Sequence, residues 1–209
     1  MIIIGAETSQ NQLSHYSFSN SIMSNSSSNE EEAKRQFQVN DVIDWKVLGN
    51  PLTSLPTTVL LTSSHGLGIQ VSADSGALLR RDQIPSLDAS FAIGDALLLT
   101  GFCRPGPLTI VFENPIFAAS TQLQSNTTHI PEYVASIEGF DILDNSLGKI
   151  KVPGITQQSG GGVIDLSLFN SKGRIKKLVI AAKEQGMHMP FAINCVYLQA
   201  DMGSLAKSY

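Results

Sequence analysis

The 209-residue sequence predicts an all-β fold, a two-sheet antiparallel β-sandwich that is jelly-roll-like. Short runs of apolar and β-branched residues recur along the chain, with turn residues between them. No run keeps helical spacing for more than a short stretch. The apolar share of 42% is that of a chain with a packed core.

Three regions follow from the composition. Residues 1–41 are rich in Ser and Asn, include a Glu30–Glu32 run, and are predicted to form a flexible N-terminal tail. Residues 42–200 are predicted to form the β-sandwich domain, and residues 201–209 a short C-terminal tail. A lone tryptophan, Trp45, stands at the start of the sandwich.

Alternation of side chains identifies the strands. Leu67, Ile69 and Val71 fall on one face at period two, with polar or small residues between them. Apolar runs at 91–101, 108–112 and 116–124 predict the buried centre of a sheet. The segment 176–185 could be read as a helix, but its brevity and the run from Arg174 to Ile180 favour a strand followed by a loop. The remaining predicted strands are 58–62, 77–80, 133–137, 146–152, 163–169, 174–180 and 191–199.

The charge pattern argues against two classes of partner. Charged residues make up 15% of the chain and the net charge is −4, so the basic stripe of a nucleic-acid-binding protein is missing. No apolar run reaches the length of about 18 residues that predicts a membrane span. No signal peptide or sorting tail is recognised, and neither localisation nor oligomeric state follows from the sequence.

The two cysteines, Cys103 and Cys195, are too few for a disulfide framework or for a zinc site. A bridge between them is geometrically feasible if their strands are neighbours, and the sequence leaves their pairing open.

An ordered series of short motifs, spread from Asp44 to Leu198, resembles a family of bacterial exported β-sandwich proteins with a PEP-CTERM-type sorting tail. The resemblance implies a jelly-roll-like sandwich shaped like a carbohydrate-binding module, in a family whose role is largely undefined. The chain departs from that pattern in lacking the tail and in having Phe117 and two alanines where the family has small, Gly-rich positions. The matching motifs are 44–49, 66–71, 80–83, 91–98, 106–112, 121–124, 147–148 and 191–194.

The resemblance to jelly-roll modules also suggests a structural calcium ion, held by loop carboxylates and carbonyl oxygens. Asp82, Asp95 and Asn194 are the candidate calcium ligands, and Asn194 stands where the usual residue is Asp. No other cofactor is expected. Trp45 and Tyr133 are the candidate ligand-binding aromatics.

The leading interpretation is a non-enzymatic binding or interaction module, with a glycan or another surface polymer as its candidate ligand. One alternative is an aspartic-type hydrolase centred on Asp74, which begins an Asp-Ser-Gly triplet. The other is a structural protein that self-associates through strand edges. A serine hydrolase has little support, because Ser63, Ser64 and His65 lie near no nucleophile elbow.

Overall fold

Strands make up most of the chain in the computed structural model, which describes residues 38–74, 76–84, 90–101, 105–125, 132–156 and 161–201. A short 3-10 turn, Trp45–Leu48, follows the first strand. The strands in these ranges are β1 (Asp41–Ile43), β2 (Thr53–Leu55), β3 (Thr58–Thr62), β4 (Gly68–Ala73), β5 (Leu78–Asp82), β6 (Ala96–Leu99), β7 (Leu108–Ser125), β8 (Glu132–Phe140), β9 (Ser146–Ile155), β10 (Ile164–Phe169), β11 (Ile175–Glu184), β12 (Met187–Met189), β13 (Phe191–Ile193) and β14 (Val196–Ala200).

The long strand β7 belongs to both layers of the sandwich. Its first part, Leu108 to Phe112, pairs with β4 on one side and β11 on the other. Its second part pairs with β10 on one side and with β13 and β14 on the other. Pro115 lies at the transition, where a missing N–H interrupts the ladder and allows the strand to change partners.

Two antiparallel sheets result, which we call sheet I and sheet II. Sheet I has the order β3-β4-β7-β11-β8-β9, and β12 pairs with the far end of β11. In sheet II, β10 lies beside β7, and on the other side of β7 come β14 with β1, and β13 with β6, β5 and β2. Strand β10 contacts β8 and β9 without pairing with them, because the two sheets face each other.

The core fills the space between the sheets. Alternate residues of each strand point inward, as in β10, where Ile164, Leu166 and Leu168 are buried and Asp165 and Ser167 are exposed. Because successive side chains of a strand point to opposite faces, every second residue lies on an outer face, and these residues are often polar. A second, smaller apolar cluster of Phe91, Leu97 and Leu99 lies apart from this core.

The structure confirms the predicted all-β antiparallel sandwich. Strands β1, β2 and β12 were not predicted, and only β6 within the run 91–101 is a strand. Three further differences concern predicted strands. The predicted strands at 108–112 and 116–124 are one strand, β7. The predicted strand at 174–180 is part of β11, and the loop predicted after it is wrong up to Glu184, where β11 ends. The predicted strand at 191–199 is broken into β13 and β14, with Asn194 and Cys195 between them.

Three predictions lie outside the described residues, namely the flexible tail over residues 1–37, the C-terminal tail over residues 202–209 and the state of Cys103. Strand β1 begins at Asp41, the last residue of the predicted tail. In the part of the chain that the structure describes, no helix is long and apolar enough to cross a membrane.

Candidate functional site

Trp45 lies entirely inside the protein, at 0% exposure. Its indole Nε1 donates a hydrogen bond of 2.7 Å to the backbone carbonyl of Asn194. A ring in this position has no face open to a sugar. Its contact is with Asn194, in the two-residue interruption between β13 and β14.

Tyr133 is 3% exposed and lines a cleft of about 660 Å³ at the end of sheet I. Its hydroxyl accepts a hydrogen bond of 3.3 Å from the backbone N–H of Ser125, and burial raises the pKa of the phenol. Around it the cleft is mostly apolar, and Glu132, Lys183 and Glu184 supply its charged groups. At this exposure Tyr133 has little ring surface to offer a ligand in the cleft.

The three candidate calcium ligands do not converge. Asp82 lies 2.5 Å from the guanidinium of Arg80, whose side chain is almost fully buried. Leu78 and Arg80 are buried alternate residues of β5 and Asp82 is half-buried at its end, so this ion pair lies at the boundary between the interior and solvent. Among the described residues, no group of three or more His, Cys, Asp or Glu side chains is placed to hold a metal ion.

Asp95 and Asn194 do lie together. Asn194 stands where strand pairing is interrupted between β13 and β14, and its hydrogen bonds bridge the interruption. Its backbone carbonyl accepts from Trp45 and, at 3.3 Å, from the Thr121 hydroxyl. Its side-chain Oδ1 accepts from the backbone N–H of Gln122 at 3.0 Å. That contact fixes the amide, so Nδ2 faces Gln122 Oε1 at 2.9 Å and Asp95 Oδ2 at 3.5 Å.

The hydrogen bonding continues across the sheet. Gln122 Nε2 donates to Asp165 Oδ1 at 3.1 Å. Asp95, Asn194, Gln122 and Asp165 thus form one line of hydrogen-bonded side chains on the outer face of sheet II, which we call the polar row. Asp95 and Gln122 are half-buried and Asp165 is exposed, so the row is reachable from solvent.

Tyr197 and Ser120 adjoin the polar row. They are register partners on β14 and β7, two residues from Gln122 along β7, and they share its outward face. The Ser120 hydroxyl is buried, at 3% exposure for the residue, and has no hydrogen-bond partner in the described part of the chain. Tyr197 is half-buried and its side chain hydrogen-bonds the Cys195 thiol, whose pKa is raised mainly by burial.

A second polar cluster forms around the buried carboxylate of Asp41. It accepts hydrogen bonds from the Ser63 hydroxyl, from the Ser64 hydroxyl at 2.8 Å and from the backbone N–H of His65 at 3.0 Å. Burial alone would raise the pKa of Asp41, but these bonds and one from the Val42 N–H outweigh it and lower the pKa. The cluster ties β1 to the turn after β3.

This cluster does not have the geometry of a serine hydrolase. The His65 Nδ1 atom lies 3.2 Å from Ser64 Oγ and 3.3 Å from Asp41 Oδ1. A triad needs the serine and the carboxylate on different ring nitrogens, whereas here both approach the same one.

Asp74, the centre of the hydrolase hypothesis, is exposed directly after β4. Its negative charge acts on His188, whose pKa is nonetheless lowered, first by burial and then by the charge of Lys183. An aspartic hydrolase requires a second carboxylate that shares a proton with the first. Beside Ala73, the residue before Asp74, the register partners are Leu108 of β7 and then Ile180 of β11, and neither carries a carboxylate.

Sequence reasoning found two members of the polar row, Asp95 and Asn194, and missed Gln122 and Asp165. The signal for both was present. Gln122 is half-buried between the buried residues Thr121 and Leu123 of β7, and Asp165 and Ser167 alternate with buried residues of β10. Polar side chains at every second position of two strands mark an outer sheet face.

No protein-family model and no curated protein matches the sequence. Among solved structures, the chain is similar to a DUF4465 family protein from Bacteroides caccae, at 10% identity and a TM-score of 0.49, covering 77% of this chain and 100% of that one.

Two carbohydrate-binding modules are also similar in structure. TmCBM61, solved with β-1,4-galactotriose, has 13% identity and a TM-score of 0.40, over 64% of this chain and 88% of that one. The family 11 module of a Clostridium thermocellum cellulase has 10% identity and a TM-score of 0.31, over 71% and 97%. The resemblance to PEP-CTERM-type proteins stays a prediction.

Proposed function

We propose that the protein is a glycan-binding module and that the polar row is its binding site. The observation that carries the proposal is the unbroken line Asp95, Asn194, Gln122 and Asp165, which runs over the outer face of sheet II. Amides both donate and accept hydrogen bonds, and carboxylates accept them strongly. Sugar hydroxyls need this mixture of partners.

The supporting contacts make the row rigid. Asn194 is fixed by Trp45 and Thr121 from the core side and by the backbone of Gln122. A site that is ordered before it binds loses little side-chain entropy on binding. A ligand on the row would meet the exposed carboxylate of Asp165 and the half-buried side chain of Tyr197, which supplies apolar surface for a sugar ring.

The charge of the row favours a neutral glycan. Asp95 and Asp165 flank the two amides, and a uronic acid or sulfated sugar would bring like charge against them. A neutral, hydroxyl-rich chain instead donates its hydroxyl protons to the carboxylates.

The experiment is a glycan array of neutral and acidic oligosaccharides, followed by titration of the best neutral ligand. Asp165→Ala should weaken binding about tenfold or more, because a hydrogen bond to a charged group is lost. Asp74→Ala is the matched control, an exposed carboxylate far from the row. Absence of glycan binding, or binding that Asp165→Ala leaves unchanged, would contradict the proposal.

Two further variants separate the polar row from its rivals. Lys183→Ala alters the cleft beside Tyr133, and a loss of binding in this variant alone would move the site there. Incubation of the wild type and Asp74→Ala with unfolded casein at acidic pH tests the hydrolase hypothesis. Cleavage by the wild type that Asp74→Ala abolishes would support it.

A further inference from the structure

Among the described residues, strand β3 is an edge strand of sheet I, because it pairs with β4 alone. The nearest backbone contact on its other side comes after the strand ends, where the Ser64 N–H bonds to the Val42 carbonyl. The backbone N–H of Ala73 bonds to the carbonyl of Thr57, and that of Ser63 to the carbonyl of Leu67. Because hydrogen bonding alternates along an antiparallel strand, Thr58, Leu60 and Thr62 point their N–H and C=O groups away from β4.

The residues of β3 do nothing to block pairing. The strand reads Thr58-Val-Leu-Leu-Thr62 and has no charge, proline or glycine. Leu60 is 78% exposed. Natural edges are usually guarded by lysine, proline or bulges.

The opposite edge of the same sheet has these protections. Strand β9 contains Lys149, Lys151 and Pro153. A two-fold axis on this edge would bring lysines against lysines of the second copy. The contrast between β9 and β3 indicates that one edge is protected and the other is open.

We propose that β3 docks a second copy of this chain, antiparallel about a two-fold axis at Leu60. This register places Leu60 opposite the same residue of the partner and Thr58 opposite Thr62. The outward backbone groups of the two strands then bond to each other, where the described part of the chain offers them no strand partner.

The side chains suit the same register. Val59 and Leu61, on the core side, face Leu61 and Val59 of the second copy, so the two cores become continuous. A two-fold axis places each side chain near its own copy, so a charged strand would repel itself. Strand β3 has no charged residue, and this repulsion is absent. The result is a sheet of twelve strands, six from each copy.

The test is sedimentation or light scattering of the full chain over a concentration series. The wild type should shift from monomer to dimer, and Leu60→Lys should weaken the dimer about tenfold or more, because two like charges meet at the axis. Leu143→Lys is the matched control, since Leu143 is also 78% exposed but lies in the β8–β9 turn. A wild type that stays monomeric, or a Leu60→Lys that dimerises like the wild type, would overturn the proposal.

A covalent test fixes the register. Paired residues at this kind of position have Cα atoms about 5.5 Å apart, within disulfide range. Leu60→Cys should therefore give a covalent dimer on mild oxidation, far more readily than Leu143→Cys or the wild type with its own two cysteines. Equal cross-linking of all three, or a disulfide within one chain from the introduced thiol, would exclude β3 as the interface. Glycan binding is measured separately, so either proposal can fail alone.

Discussion

Trp45 and Asn194, 149 positions apart in the sequence, are joined by a 2.7 Å hydrogen bond from the indole Nε1 to the Asn194 carbonyl. Asn194 occupies the break between β13 and β14, where its carbonyl has no strand partner. Trp45 satisfies that carbonyl from the core, and the Asn194 side chain meets Gln122 on the outer face. The buried tryptophan and the polar row are thus two sides of one structural feature.

Trp45→Phe should lower the free energy of unfolding by about 1–3 kcal/mol, since the buried Asn194 carbonyl loses its best donor. Urea unfolding is followed by circular dichroism, because the variant lacks the chain's one tryptophan and its fluorescence. Asp165→Ala, at the exposed end of the row, should stay within about 0.5 kcal/mol of the wild type. Equal midpoints for Trp45→Phe and the wild type would show that this bond does not stabilise the fold.

The Tyr133→Phe variant tests whether the Tyr133 hydroxyl stabilises the fold or contacts the ligand. Loss of the hydroxyl leaves the buried Ser125 N–H without its acceptor, so stability should fall by about 1 kcal/mol or more. Glycan affinity should not change if the polar row is the site. A variant of normal stability that no longer binds would instead support the prediction that Tyr133 contacts the ligand.

The calcium hypothesis is tested at Asn194. Its amide nitrogen faces Asp95 and Gln122, so an oxygen is missing where a cation would need one. Asn194→Asp supplies that oxygen beside Asp95, and calcium should raise the melting temperature of this variant more than that of the wild type. Melting curves that neither excess EDTA nor added calcium changes, in both proteins, would argue against a site here.

The features that the sequence predicted correctly are those determined by residues close together in the chain. Strand β3 was predicted at its observed bounds because its β-branched residues and flanking turns are local signals. The interruption of the strand at Asn194 was not predicted, because it depends on contacts with Trp45 and Gln122, which are distant in sequence. Asp41 was assigned to the tail for the same reason, since its partners follow more than twenty positions later.

The Asp41 cluster predicts a loss of stability in acid. Because the folded-state pKa of Asp41 is lowered, the ionised carboxylate stabilises the fold above its unfolded pKa of about 3.9, and this contribution is lost as the pH falls through the lower folded pKa. Asp41→Asn should therefore show a smaller decline in urea midpoint between neutral and acidic pH. Ser63→Ala, which removes one of the bonds, should fall between the two. Parallel pH profiles for the wild type and Asp41→Asn would exclude this role.

Two glycines near the ends of strands in sheet II, Gly101 after β6 and Gly162 before β10, provide a matched test of packing. A Cβ on Gly101 would lie 2.9 Å from the backbone carbonyl oxygen of Ala77, and backbone cannot yield as a side chain can. Gly101→Ala should therefore destabilise the protein by about 1–3 kcal/mol, the usual cost of overpacking. Gly162 has nothing within 4 Å of such a Cβ, so Gly162→Ala should leave the urea midpoint unchanged or slightly higher. If both variants unfold at the same urea concentration, the close approach of residues 77 and 101 does not constrain the fold.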